Sequence, residues 1–341
     1  MEKLLSNGLF KNGSLPEDYI FPPESRPGNL KIPFNSNIPV IDLSEAQNDD
    51  RTNTIHKIIK AAEEFGFFQV INHGVSLNLM NETRSVVKEL FEMSTEEKQK
   101  LFYDPLKKAG MFTSSINYAT EKVHLWRDNF RHPCYPLEQW QHLWPENPTR
   151  YKECVGACSV EVKKLASRIL SLISEGLGLK CGYFENDVSG SMAMTINHYP
   201  PCPEPSLTLG ITKHADPNLI TILLQDDVCG LQVFKDGNWI AVEAIPNAFV
   251  INVGYQLQIM SNGKLISAEH RAVTNSSAAR TTVAFFVAPK EECIIEPAQG
   301  LIDEHNPPIF KSFKYKDFFD YYFAKYGDTD VVLKSFEAQR N

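Results

Sequence analysis

The sequence predicts an α+β chain with a mainly β core, helical in its front half and helical again at its tail. Three observations carry this. From Ala193 onward, short β-like runs follow one another with turn signals and no helix between them: AMTINHY, LITILLQ, GLQVFKDGNWIAV, AFVINVG, HRAVTN and RTTVAFFVA. Strands at such spacing form a sandwich or a barrel. Before them, apolar residues recur at helical spacing in IHKIIKAAEEF (55–65) and through 151–177. After them, YKDFFDYYFAKYG (315–327) is amphipathic.

Residues 1–37 are rich in Pro, Asn, Gly and Ser and read as an extended arm. IPVIDLS (38–44) is a short strand entering a turn, and Gly66 stops the first helix before a buried strand, FFQVINHGV (67–75). A second helix is expected over about 77–91, and Ser94 with Glu97 is a capping signal for a short third one. The long helix of 151–177 ends at Gly176, Gly178 and Lys180. Lys235-Asp236-Gly237-Asn238 marks a hairpin. The chain therefore divides into an arm (1–37), an α/β region (38–150), a supporting helix (151–190), the β core (191–290) and a helical tail (291–341).

Bulk properties narrow the function classes. A chain of 341 residues with 43% hydrophobic and 22% charged residues has ample core and no signature of disorder. A net charge of −8 argues against a nucleic-acid partner, since phosphate neutralisation needs clustered Lys and Arg. The opening MEKLLSNGLFKNGSLPEDY has too short an apolar run for a secretory signal, and no stretch reaches the length of a membrane span. Seven cysteines without CxxC pairs read as reduced thiols. A cytoplasmic monomer is expected.

Chemistry concentrates in three segments. In ITKHADPNLITILLQ (211–225), His214 and Asp216 are two apart. Strand alternation puts such residues on one face. They are either a polar loop with Pro217 and Asn218 as turn residues, or two ligands of one metal ion. His270, in AEHRAV, lies 54 residues after Asp216 on another β segment. Two imidazoles and one carboxylate on a single face form the ligand set of non-haem Fe(II) oxygenases, which leaves open positions for substrate and O₂. In ARTTVAFFVA, alternation gives Arg280, Thr282, Ala284 and Phe286 one face and leaves the other to the core. A buried Arg needs a partner, either a nearby Asp or Glu or a ligand carboxylate. In INHYPPCPEP (196–205), Asn197 and Tyr199 share a strand face, and the Tyr hydroxyl has water, a backbone carbonyl or the same ligand within its options.

These segments together resemble the plant soluble 2-oxoglutarate- and Fe(II)-dependent dioxygenases, and among them the branch of salicylate hydroxylases, flavone synthases and hyoscyamine hydroxylases. IPVIDLS, EEFGFFQVINHGV and WRDNFRHPCYP match the family's N-terminal region. NHYPPCPEP, HADPNLITILLQD, GLQVFKDGNWIAV, SNGKLISAEHRAV and ARTTVAFF match its catalytic core, a double-stranded β-helix or jelly roll. The resemblance implies that His214, Asp216 and His270 bind iron. It implies that Arg280, Thr282 and Tyr199, with Asn197 nearby, hold 2-oxoglutarate. It implies O₂ as oxidant, ascorbate as reductant, and release of succinate and CO₂ as a C–H bond of a small metabolite is oxidised. Phe286, Phe130 and Tyr118 are candidate substrate contacts. Desaturation, demethylation and ring closure share the same first step. A same-fold oxidase that does not use 2-oxoglutarate, and a non-catalytic small-molecule receptor, are the alternatives.

Four positions depart from the family pattern. Thr282 replaces the usual Ser and keeps its hydroxyl, while the usual HTD or HSD is here HAD. His198 replaces a Tyr on the face opposite Tyr199, so parity points it away from the metal. Tyr255 replaces an Asp in Gly-Asp-Gln-Leu, where a bulky phenol is expected to reshape the pocket mouth.

Overall fold

The computed structural model describes residues 4–7, 13–28, 38–47, 50–102, 110–115, 118 and 121–338. In chain order the elements are β1 (Val40–Asp42), α1 (Arg51–Glu64), β2 (Phe67–Ile71), α2 (Leu77–Glu92), α3 (Thr95–Gln99), β3 (Met111–Ser114), β4 (Asp128–Tyr135), α4 (Leu137–Trp140) and α5 (Tyr151–Gly176). Then come β5 (Ser191–Tyr199), β6 (Ile211–His214), β7 (Ile220–Leu224), β8 (Leu231–Lys235), β9 (Asn238–Ala241), β10 (Phe249–Val253), α6 (Tyr255–Met260), β11 (His270–Ala272), β12 (Arg280–Ala288) and α7 (Tyr315–Ala324).

Two sheets build the core. The large one has eight strands in the order β1-β2-β10-β7-β12-β5-β4-β3, and the small one has four, β6-β11-β8-β9. The pleat gives each large-sheet strand two fates. Ile220, Ile222 and Leu224 of β7, and Val283, Phe285 and Val287 of β12, join one apolar cluster with Val155, Val162, Leu165 and Ile169 of α5. That spacing of three and four along α5 is the apolar stripe its sequence encodes. The opposite face of the large sheet turns to the small sheet: Leu223 and Val250 pack with Leu231, Val233 and Ile240. The chain is a jelly roll with helices on one flank.

The N-terminal region and the β core are not separate bodies. Strand β2 pairs with β10 and carries β1 at the edge, and β4 extends the sheet beyond β5, so one sheet crosses residue 150. The described parts of the arm also pack down. Leu5, Leu15 and Tyr19 are buried with Trp126 and Cys202, and Phe21 with Leu125 and Leu209.

Candidate active site

The register of the large sheet fixes which side chains face the barrel interior. Asn252, Thr221, Phe286 and Ala193 lie in one cross-strand row, and Val250, Leu223, Ala284, Thr195 and Arg131 in the next. Thr282, Asn197 and Asn129 form a third, with Arg280 opposite Tyr199 beyond it. So many polar groups on an inner barrel face are costly unless they find partners.

On the small sheet His214 ends β6 and His270 begins β11, directly opposite each other, with ring centroids 4.2 Å apart. Each ring is oriented from behind. His214 Nδ1 donates to the Thr212 carbonyl at 2.9 Å, and His270 Nδ1 to that of Ala268 at 3.1 Å. This fixes the tautomer that leaves both Nε2 lone pairs free. Burial, and then the neighbouring His270, push the His214 pKa down to about 4, so its imidazole is neutral at pH 7.

Asp216 completes the cluster, although not through strand parity, because β6 ends at His214. The loop itself brings the carboxylate back. Asn218 ties the loop to Ile220 O and Thr221 Oγ1, and Asp216 O accepts from Tyr255 N at 2.9 Å. A Cβ on Gly254 would stand 2.0 Å from Asn218 O, so only glycine permits this close approach. Asp216 Oδ2 accepts from Thr221 Oγ1 at 2.6 Å and from Asn252 Nδ2, while Oδ1 faces His214 Nε2 at 3.6 Å and His270 Nε2 at 3.8 Å. Burial pushes this carboxyl up, but His270, His214, Thr221 and Asn252 outweigh it and hold it below the ordinary range. The three ligand atoms lie within 4.8 Å of one another. Two imidazole nitrogens and one carboxylate oxygen on a single flank suit a divalent ion with open positions, and no fourth His, Cys, Asp or Glu joins them among the described residues.

The second cluster lies around Arg280, which is 2% exposed. Its Nε donates to Val228 O at 3.0 Å and its Nη2 to Gln225 Oε1 at 2.8 Å, and its guanidinium stacks 5.3 Å from the Tyr199 ring centroid. Every one of these partners is neutral, and among the described residues no carboxylate pairs with it. The Asp or Glu partner that would have made it a structural ion pair is therefore missing. A deeply buried cation in this state fits an anionic ligand. Burial raises the Tyr199 pKa against the opposing pull of Arg280 and Arg127, so the phenol keeps its proton and can donate it. Gly210 makes room for that ring, since a Cβ there would lie 2.5 Å from Tyr199 Cδ1.

Of the other residues singled out in the sequence, two fall elsewhere than expected. Phe130 is a correction: it faces the helices, against Phe112 at 4.8 Å and edge-on to Tyr151, so it is no substrate contact. Its neighbours Asn129 and Arg131 take the inward positions. Tyr255 is the second correction. It is buried against Phe318 and Tyr322 of α7, behind the metal-ligand loop, and does not reach a pocket mouth. Tyr118 stacks on His124 at 3.8 Å beside the arm's apolar cluster. Phe286 is half-buried in the row that holds Thr221 and Asn252. His198 points outward, as its parity requires, and stacks on Phe91.

Two inward arginines escaped the sequence reading. Arg127 donates to Asn197 Oδ1 at 3.1 Å and to Ser115 O at 2.9 Å, and its buried Nε has no hydrogen-bond partner among the described residues. Arg131 makes no ion pair among the described residues, and desolvation lowers its pKa. The signal was present in WRDNFR, where alternation from Asn129 reaches Arg131.

Comparison with known proteins agrees with this geometry. Residues 190–289 match the model of the 2OG-Fe(II) oxygenase superfamily, and residues 38–147 that of the N-terminal region of non-haem dioxygenases in morphine synthesis. The chain is 43% identical to Protein DOWNY MILDEW RESISTANCE 6 of Arabidopsis thaliana, over 98% of both chains. It is 41% identical to hyoscyamine 6-dioxygenase of Hyoscyamus niger, over 99% of both. Among solved structures, that of JOX2 in complex with 2OG, Fe and JA superposes with a TM-score of 0.87 at 33% identity, covering 98% of this chain and 96% of that one. Full-length likeness at this identity, on top of the His-Asp-His cluster and the buried Arg280 guanidinium, makes the chain a member of the 2OG-Fe(II) oxygenase superfamily, a 2-oxoglutarate-dependent dioxygenase.

Proposed function

We propose that His214, Asp216 and His270 hold Fe(II) in this enzyme, and that Arg280, Tyr199, Thr282 and Asn197 hold 2-oxoglutarate, for the oxidation of a small plant metabolite. The observation that carries the reading is the pairing of an open three-ligand cluster with a buried arginine that has only neutral partners. When bound, iron supplies the oxidising chemistry that couples decarboxylation of 2-oxoglutarate to attack on a C–H bond. Thr221 and Asn252 fix the carboxylate ligand, while Thr212 and Ala268 fix the imidazoles. Arg280 forks onto the distal carboxylate of the cosubstrate, and Tyr199 and Thr282 donate hydroxyl protons to it. The barrel walls position the substrate and exclude water. Hydroxylation is the expected outcome, ascorbate keeps the metal reduced, and the chain acts as a cytoplasmic monomer.

The substrate class follows the relatives, whose names cover hyoscyamine and flavanone, and JOX2 was solved with JA. Phe286, in the row of Thr221, offers a ring face to such a molecule. Arg131 favours, within that class, a substrate with an acidic group. The test is succinate release with Fe(II), 2-oxoglutarate and ascorbate across phenolics, flavonoids, alkaloids and carboxylic acids, each acid beside its methyl ester. Mass spectrometry identifies the product. Asp216→Ala should abolish turnover; full activity in that variant overturns the metal assignment. Equal turnover of acids and esters overturns the role given to Arg131.

A further inference from the structure

Strands β5 and β12 carry a second polar pair on their outer face. Thr281 and His198 are direct cross-strand partners, joined at 2.9 Å between Thr281 Oγ1 and His198 Nδ1. The next outward residues, Ile196 and Val283, are apolar and buried under the helices, so the polar pair is out of place in that face. It forms part of the wall of a cavity of about 550 Å³, completed by Ser6 and Asn7 of the arm, Lys88 and Phe91 of α2, and Lys98 of α3. The cavity lies outside the barrel and shares no residue with the iron and 2-oxoglutarate clusters.

Lys98 is 1% exposed. Its Nζ donates to Ser6 Oγ and Asn7 Oδ1, both at 3.2 Å and both neutral, and it forms no ion pair among the described residues. Asp128, the nearby acid, is occupied by the backbone N–H groups of Leu5 and Ser6. Lys88 faces the same space: burial first, and then the charges of Lys98 and Lys88, push the His198 pKa down to about 4. Among the described residues the one acid in the lining is Glu92, which is exposed. The wall thus presents two ammonium groups and several hydroxyls against a single rim carboxylate. Among the described residues this buried ammonium has only two neutral oxygens as partners, and an anion with several acceptor oxygens suits it.

We propose that this cavity is a second ligand site, which takes a phosphate group between Lys98, Lys88 and His198, either as the free anion or as the monoester of a small metabolite. Phosphate suits lysine point charges, and the volume exceeds that of the bare ion and falls in the range of small-metabolite pockets. The site is independent of the proposed activity.

The test is calorimetric titration of the full chain, prepared without iron, with inorganic phosphate and with glucose 6-phosphate at pH 7. The expected result is saturable binding with one ligand per chain, weakened about tenfold by Lys98→Met and about tenfold by Lys88→Met. Lys264→Met, an exposed lysine on the turn after α6, should bind as the unaltered chain does. Tighter binding of the sugar phosphate identifies the monoester as the ligand, and equal binding identifies the free anion. Absence of saturable binding of either probe, or unaltered binding by Lys88→Met, overturns the proposal. Lys88 is exposed, so its substitution leaves the fold intact and decides the matter even if Lys98→Met does not fold.

Discussion

Asn252 is not itself one of the proposed metal ligands, yet its loss should weaken the metal centre. The amide sits in β10, opposite Thr221, and donates to Asp216 Oδ2. With Thr221 it pins one carboxylate oxygen so that the other faces both imidazoles. Asn252→Leu keeps the shape and removes the donor. Two effects compete. The carboxyl becomes more basic, which favours a metal but also a proton. It also loses its orientation. Asp216 is held below the ordinary carboxylate range, so even without one donor it stays ionised at pH 7 and proton competition is negligible. Orientation therefore decides. A hydrogen bond to a charged group is worth about 1.5–3 kcal/mol. That corresponds to an affinity loss of about ten- to a hundredfold, the usual range for groups that orient metal ligands. The assay is anaerobic titration of Fe(II), or of Mn(II) as a redox-silent substitute, into each protein, with a thermal melt to show that the fold persists. Thr221→Val should behave alike. Affinities within twofold of the unaltered chain in both variants would refute the argument that these donors aim the carboxylate.

Two further outcomes follow from packing and protonation. Gly210→Ala puts a methyl group 2.5 Å from Tyr199 Cδ1, which displaces the ring from beneath Arg280; the 2-oxoglutarate KM should rise several-fold with the fold retained, and an unchanged KM would show that Tyr199 is not part of the clamp. His132 is buried between Tyr151 and the Pro133 carbonyl, with its pKa pushed down to about 4 by burial. The unfolded chain takes up that proton near pH 6.5, so the stability from the neutral ring is complete above 6.5 and is lost as pH falls toward 4. Between pH 7 and 5 this amounts to about 2 kcal/mol. Urea unfolding of the wild type and His132→Gln at both pH values measures it; identical pH dependence in the two proteins would count against it.

What was legible in the sequence was whatever local periodicity encodes. Helices α2 and α5, and the capping box of Ser94 and Glu97 at α3, lie where apolar spacing and cap chemistry put them. Strands β3 and β4 were missed for a physical reason. Alternation is a signal only where one face is apolar and the other is not. In β4 the inward face carries Asn129 and Arg131, while the outward face mixes Phe130 and Cys134 with Asp128 and His132, so no hydrophobic period survives. The apolar face of β12 is intact, and its inward set was read correctly down to Phe286.

The errors at the site share one origin. Parity assigns a face, but what occupies the space beyond that face is decided by segments far away in the chain. Tyr255 was expected at a pocket mouth, but α7 returns from some sixty residues later and takes the ring into its own packing with Phe318 and Tyr322. Tyr322 then reaches further and donates to Ala215 O, between the two ligands of the HAD segment. The same helix that removes Tyr255 from substrate contact therefore braces the metal-binding loop from behind. Asn252 illustrates the converse. A lone amide in FVINV, a strand otherwise wholly apolar and buried, has to meet a partner; in the structure it lies opposite Thr221 and donates to Asp216. A solitary polar residue in a buried strand is thus a signal of a supporting residue, as is the alternation that reaches Arg131 in WRDNFR.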